Sequence, residues 1–264
     1  MKTALKEAIR RSSLYPIAKE IYRRTLNREF LLSRRQLMSF YGKLVQKGAV
    51  VFDVGANRGD FTDAFLRLGA HVYAFEPHPT CTRELRALYS GNPRFHLVDV
   101  ALGSEPGEAK LYLGENGMDN VSTLSEDYKR EAAKLPGLAV AGWTKSLSVK
   151  VSTLDQMIAE YGTPAFCKID VEGYELPVLK GLHQIIPLLQ FEYQPWSVDK
   201  AIECIDYLEG LGYQRFNLTM SASRSDIVAL QADWMSAAQL IEILRLSVAS
   251  THRVGDVFAK PGHD

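Results

Sequence analysis

The sequence lacks an apolar run of membrane-spanning length. Its longest, around Phe166 and from Ile185 to Leu189, are of strand length, against the roughly 20 residues that a spanning helix needs. An uninterrupted apolar segment behind Met1-Lys2 is also missing, so the start does not read as a secretory signal, and a cytoplasmic location is expected. Cysteine is scarce. Cys81, Cys167 and Cys204 are odd in number and have no metal-like spacing, which argues against a disulfide framework and for packing thiols in a reducing compartment. No internal repeat or low-complexity tract is visible, which argues against a solenoid or a disordered chain. What is present, 46% hydrophobic and 23% charged residues over 264 positions, suits one large α/β domain with a full core.

The charge balances at zero overall but not along the chain. Residues 1–47 hold 12 Lys/Arg against Glu7, Glu20 and Glu29, a net +9, which leaves the remainder at −9. Leu5, Ile9, Ile17 and Ile21, then Leu31, Leu32, Leu37 and Leu44, recur at helical spacing, and Pro16 marks a start or break. The leader therefore reads as two or three basic amphipathic helices. Three roles fit it: a cap over a cleft or a contact in a homo-oligomer, peripheral attachment to anionic lipid, or capture of an acidic, carrier-tethered substrate.

From Gly48 the pattern changes. Ala49 to Val54 is a short β-branched run, the mark of a buried parallel strand. Helices are expected at 60–68, 79–90, 152–160, 175–183, 198–211 and 236–246. Strands are expected at 71–76, 94–100, 164–170, 186–193, 213–218 and 254–260. Extra strands at 108–113 and 146–151 flank a polar, mobile stretch at 115–145. Such alternation predicts a mostly parallel seven-stranded sheet with helices on both faces, spanning 48–264, plus the N-terminal helical extension.

Asp53-Val54-Gly55-Ala56-Asn57-Arg58-Gly59 joins the first strand to its helix. Gly55 and Gly59 permit a sharp turn and close ligand approach, and the helix start, with Phe61 in its first turn, favours a carboxylate. A pyrophosphate-binding Gly-x-Gly-x-x-Gly would need glycine where Asn57 stands. Glu76 ends the next strand, where an acid accepts from both ribose hydroxyls of an adenosine, and Pro77 stops that strand. These features point to S-adenosylmethionine.

With those residues placed, the chain resembles the FkbM-type methyltransferase family from about Val50 to Tyr193. The carriers are Phe52 to Gly59, Phe75-Glu76-Pro77-His78-Pro79, Ala101-Leu102-Gly103, Val151 to Asp155, Lys168 to Glu175, and Phe191-Glu192. The resemblance implies the class I methyltransferase Rossmann-like fold, S-adenosylmethionine as cofactor and O-methylation of a sugar, polyketide or related small-molecule or glycan hydroxyl. It also implies that Asp53 orders the loop or meets the cofactor's amino group. Asp99, Val100 and Ala101 are placed beside the adenine.

Asp170, Glu172 and Glu192 are the catalytic candidates, on the carboxyl edge of the sheet where open α/β folds bind ligands. Asp170 also belongs with the cofactor contacts Gly55, Ala56, Asn57, Gly59, Phe61, Glu76 and Pro77. Asp170 and Glu192 suit a base for the hydroxyl proton, and the trio suits Mg²⁺ as an alternative. Capping competes for Glu172 and Glu175, and Pro195-Trp196 is placed to wall the pocket. His78 reads as a surface turn residue, His183 as a partner of a helix C-terminus, and Cys81 and Cys167 as packing. Nucleic acid is not expected as a partner, since the body is acidic and no Asn/Asp-Pro-Pro-aromatic motif follows Ile169. Methylation of nitrogen or carbon, a nicotinamide-dependent oxidoreductase and an inactive cofactor-binding scaffold are the competing functions.

Overall fold

A computed structural model describes residues 22–116, 118–221, 233–251 and 254–262. The expected helices before residue 22 lie outside it. In the leader, residues 22–26 are helical, and α1 (Arg28–Tyr41) is capped by Asn27, whose side chain accepts from the Phe30 N–H. Then come β1 (Val50–Val54), α2 (Asp60–Leu68), β2 (His71–Phe75), α3 (Pro79–Tyr89), β3 (Phe95–Val98), β4 (Ala101–Leu102) and β5 (Gly107–Leu113). After a connection holding α4 (Glu126–Ala132) follow β6 (Lys145–Ser152), α5 (Leu154–Tyr161), β7 (Phe166–Ile169), α6 (Glu175–Lys180) and β8 (Leu189–Tyr193). The chain closes with α7 (Val198–Leu211), β9 (Tyr213–Ser221), α8 (Ala237–Thr251) and β10 (Val254–Pro261).

The main sheet runs β3-β2-β1-β7-β8-β10-β9, with β10 antiparallel to both its neighbours. Strand order reverses around β1, which pairs β2 on one side and β7 on the other, so the crevice at its carboxyl end is the topological switch point. Alternation along β1 divides the core. Val51 packs under α1 and α2 with Phe65 and Phe166, whereas Phe52 and Val54 face the cluster holding Ile169, Leu179, Cys204 and Ile205 across the sheet.

The expected elements recur with shifted ends, and one stretch differs in kind. β5 and β6 form an antiparallel pair, with β4 parallel on the other side of β6. The connection between β5 and β6, expected to be polar and mobile, is a built unit. Tyr112, Val121, Tyr128, Ala132, Ala141 and Trp143 bury one another, and the Trp143 indole donates to the Val121 carbonyl at 2.8 Å. Its apolar residues are spread over short pieces that show no period, so the pattern hid them. Among the described residues no helix is long and apolar enough to cross a membrane.

Candidate active site

The turn after β1 uses left-handed backbone at Gly55 (φ 78°), Asn57 (φ 50°) and Gly59 (φ 78°). Gly55 is obligatory for a second reason: a Cβ there would lie 1.9 Å from the Asp170 carbonyl oxygen. The loop is thereby pressed against the end of β7. Gly59, at the N-cap of α2, supplies no side-chain cap.

Glu76 is buried at the end of β2 and ties the second loop to the first. Its Oε2 accepts from the Asn57 N–H and its Oε1 from the His78 N–H, both at 2.7 Å. Burial pushes its pKa up to about 7, against the pull of those two N–H donors. His78 is buried rather than at the surface: its Nδ1 accepts from the Thr80 N–H and caps α3.

Gly55, Asn57 and Glu76 border a cavity of about 410 Å³. Of the sequence-derived candidates, Gly55, Ala56, Asn57, Phe61, Glu76, Pro77, Val100, Ala101, Asp170, Glu172 and Glu192 line it. Asp53, Gly59 and Asp99 stand off the lining. Asp53 is fully buried behind the loop, where its Oδ2 accepts from Thr62 at 2.5 Å and its Oδ1 has no hydrogen-bond partner among the described residues. Asp99 is 44% exposed and paired with Arg86. Trp196 packs near Tyr128, ring centroids 6.3 Å apart, and His183 pairs with Asp155 at 2.8 Å.

The catalytic candidates converge. Asp170, Glu172 and Glu192 each place an oxygen within 4.8 Å of the others. Glu172 has φ 53° and precedes α6 instead of opening it, and it accepts from the Tyr128 hydroxyl. Glu175 opens α6, and its Oε1 accepts from the Val171 and Gly173 N–H groups of the preceding loop. The Glu192 pKa is raised well above the ordinary carboxylate range by burial, then by the charges of Asp170, Glu172 and Asp256.

Lys168, Gln190, Asp256 and Thr219, which had no assigned role in the sequence reading, adjoin Asp53 and Glu192 across the sheet. Sheet register sets Asp53 beside Lys168 and Lys168 beside Gln190, and it sets Glu192 beside Asp256 and Asp256 beside Thr219. Lys168, 1% exposed, reaches Asp170 at 2.8 Å and lies 4.0 Å over the Phe61 ring. Gln190 donates to Asp256 at 2.7 Å and accepts from the Tyr41 hydroxyl at 2.9 Å, which brings α1 into the same network. Single polar residues inside apolar strands give no sequence signal, because only the register makes them neighbours.

The Methyltransferase FkbM domain family matches residues 53–215. The 31-O-demethyl-FK506 methyltransferase FkbM of Streptomyces tacrolimicus is 30% identical over 221 residues, covering 71% of this chain and 80% of that one. The hexuronic acid methyltransferase AglP of Haloferax volcanii is 27% identical over 148 residues, 54% of this chain, and the match spans about half of that relative's length, 53%. A solved precorrin-6y C5,15-methyltransferase from Geobacter metallireducens aligns over 87% of each chain at TM-score 0.45 and 12% identity. With a domain match over more than half its length, this chain belongs to the FkbM methyltransferase family.

Proposed function

We propose that this chain transfers the methyl group of S-adenosylmethionine to a neutral hydroxyl of a sugar, polyketide or related small molecule. Family membership sets aside the nicotinamide alternative. The Gly55–Gly59 turn and the start of α2 would hold the methionyl carboxylate, Glu76 the ribose, and Val100 and Ala101 the adenine side. The cofactor supplies an activated methyl on a sulfonium, and the chain supplies alignment and a home for the hydroxyl proton.

The observation that carries the reading is the convergence of Asp170, Glu172 and Glu192 at the cavity. Such a cluster opposes an anionic acceptor and takes up a proton readily. Methyl transfer would form the C–O bond, break the C–S bond and release one proton, for which Glu192, grouped with Asp170 and Glu172 at the cavity, is the proposed acceptor. A divalent cation such as Mg²⁺ held by the same oxygens is a second reading, favoured by their grouping.

The test is calorimetry with S-adenosylmethionine, S-adenosylhomocysteine and NADH, with and without EDTA, followed by a screen of hydroxylated acceptors. Adenosyl-sulfur ligands bind and NADH does not. Glu192→Gln keeps cofactor binding and lowers turnover by about 10²–10⁴-fold. Undiminished turnover in that variant removes Glu192 as the base, and activity abolished by EDTA and restored by Mg²⁺ selects the metal reading.

A further inference from the structure

The family match begins at residue 53, yet the segment ahead of it is bonded to the cofactor loop. Arg24 is 7% exposed and sits behind that loop, outside the cavity lining. Its guanidinium donates to the Gly59 carbonyl at 3.3 Å, to the Arg58 carbonyl and to the Tyr89 hydroxyl oxygen. Asp60 and Asp63, in the first turn of α2, lie 3.3 and 3.5 Å away. The Phe30 and Tyr89 ring centroids are 5.3 and 5.5 Å from it.

We propose that Arg24 is a positioning residue for the cofactor: by fixing the Arg58 and Gly59 carbonyls it presets the Gly55–Gly59 turn and the start of α2. The proposal rests on reading that turn as the S-adenosylmethionine site. Asn57 and Gly59 hold backbone states that a freed loop would leave. Without the strut, the cost of ordering the loop falls on ligand binding. The planar guanidinium spans two carbonyls and two carboxylates at once, which a lysine ammonium does not.

The test compares S-adenosylhomocysteine affinity by calorimetry, and melting temperature without ligand, in the wild-type full chain, Arg24→Ala, Arg24→Lys and Arg67→Ala. Arg67 holds Asp63 from the outer side at 2.8 Å and serves as the control. Arg24→Lys weakens binding about tenfold or more, while Arg67→Ala stays within about twofold. If Arg24→Ala does not fold, Arg24→Lys, which keeps the charge, decides. Wild-type affinity in Arg24→Lys, or an equal loss in Arg67→Ala, overturns the proposal alone. No binding by the wild type overturns the cofactor reading and the proposal with it.

Discussion

Glu76 is under two opposed demands. Burial favours its neutral form, while the Asn57 and His78 N–H groups favour the carboxylate, and the balance falls at about 7. If Glu76 holds the ribose as proposed, the ribose hydroxyls would donate and the ligand would need the ionised form. Affinity for S-adenosylhomocysteine therefore falls about tenfold from pH 8 to pH 6, and Glu76→Gln weakens binding by about 10–100-fold and flattens that dependence. Calorimetry at several pH values checks both. Stability of the ligand-free chain carries the opposite sign: the raised pKa contributes stability below about pH 4.5 that is lost as pH rises through about 7. Glu76 was legible in the sequence because a strand end and a proline fix its place. Asp99 shows the limit of that logic: its strand, expected over 94–100, ends at Val98, and Arg86 of α3 holds its carboxylate outside the cavity.

At the scale of elements, the unit between β5 and β6 clasps the loop between β7 and α6. Tyr128 donates to Glu172, and the Thr123 hydroxyl donates to the Glu172 carbonyl at 2.7 Å. Gly173 lies under the Tyr128 ring with φ 85°, and a Cβ there would come 2.7 Å from the Tyr128 Cβ. Gly173→Ala therefore adds both backbone strain and a clash, and costs about 1–3 kcal/mol. Urea denaturation measures this, and an unchanged midpoint would show that the clasp yields freely. Helices such as 60–68 and 198–211 were legible from their period and end signals. This clasp was not, because its members meet only after β5 and β6 pair.

At the scale of the molecule, the described part of the leader packs into the body it precedes. The sequence left it as a cap or oligomer contact, a lipid contact or a carrier contact; in its described part, Ser33, Leu37, Phe40 and Tyr41 line the cavity. Tyr41 is 2% exposed, packs edge-on against Phe65 with centroids 5.1 Å apart, and bonds Gln190. Removing residues 1–47 strips Leu37, Tyr41 and Val45 from one of the two sheet-face clusters and uncovers Phe65 and Phe166. Truncating one such buried aromatic costs about 3–5 kcal/mol, against a total stability of about 5–15 kcal/mol. The shortened chain should then lose its cooperative melt or aggregate, whereas Tyr41→Phe, which keeps the ring and drops one hydrogen bond, should melt within a few degrees of wild type. A truncated chain that melts cooperatively and still binds S-adenosylhomocysteine would show instead that residues 48–264 fold alone, leaving the leader to the acceptor.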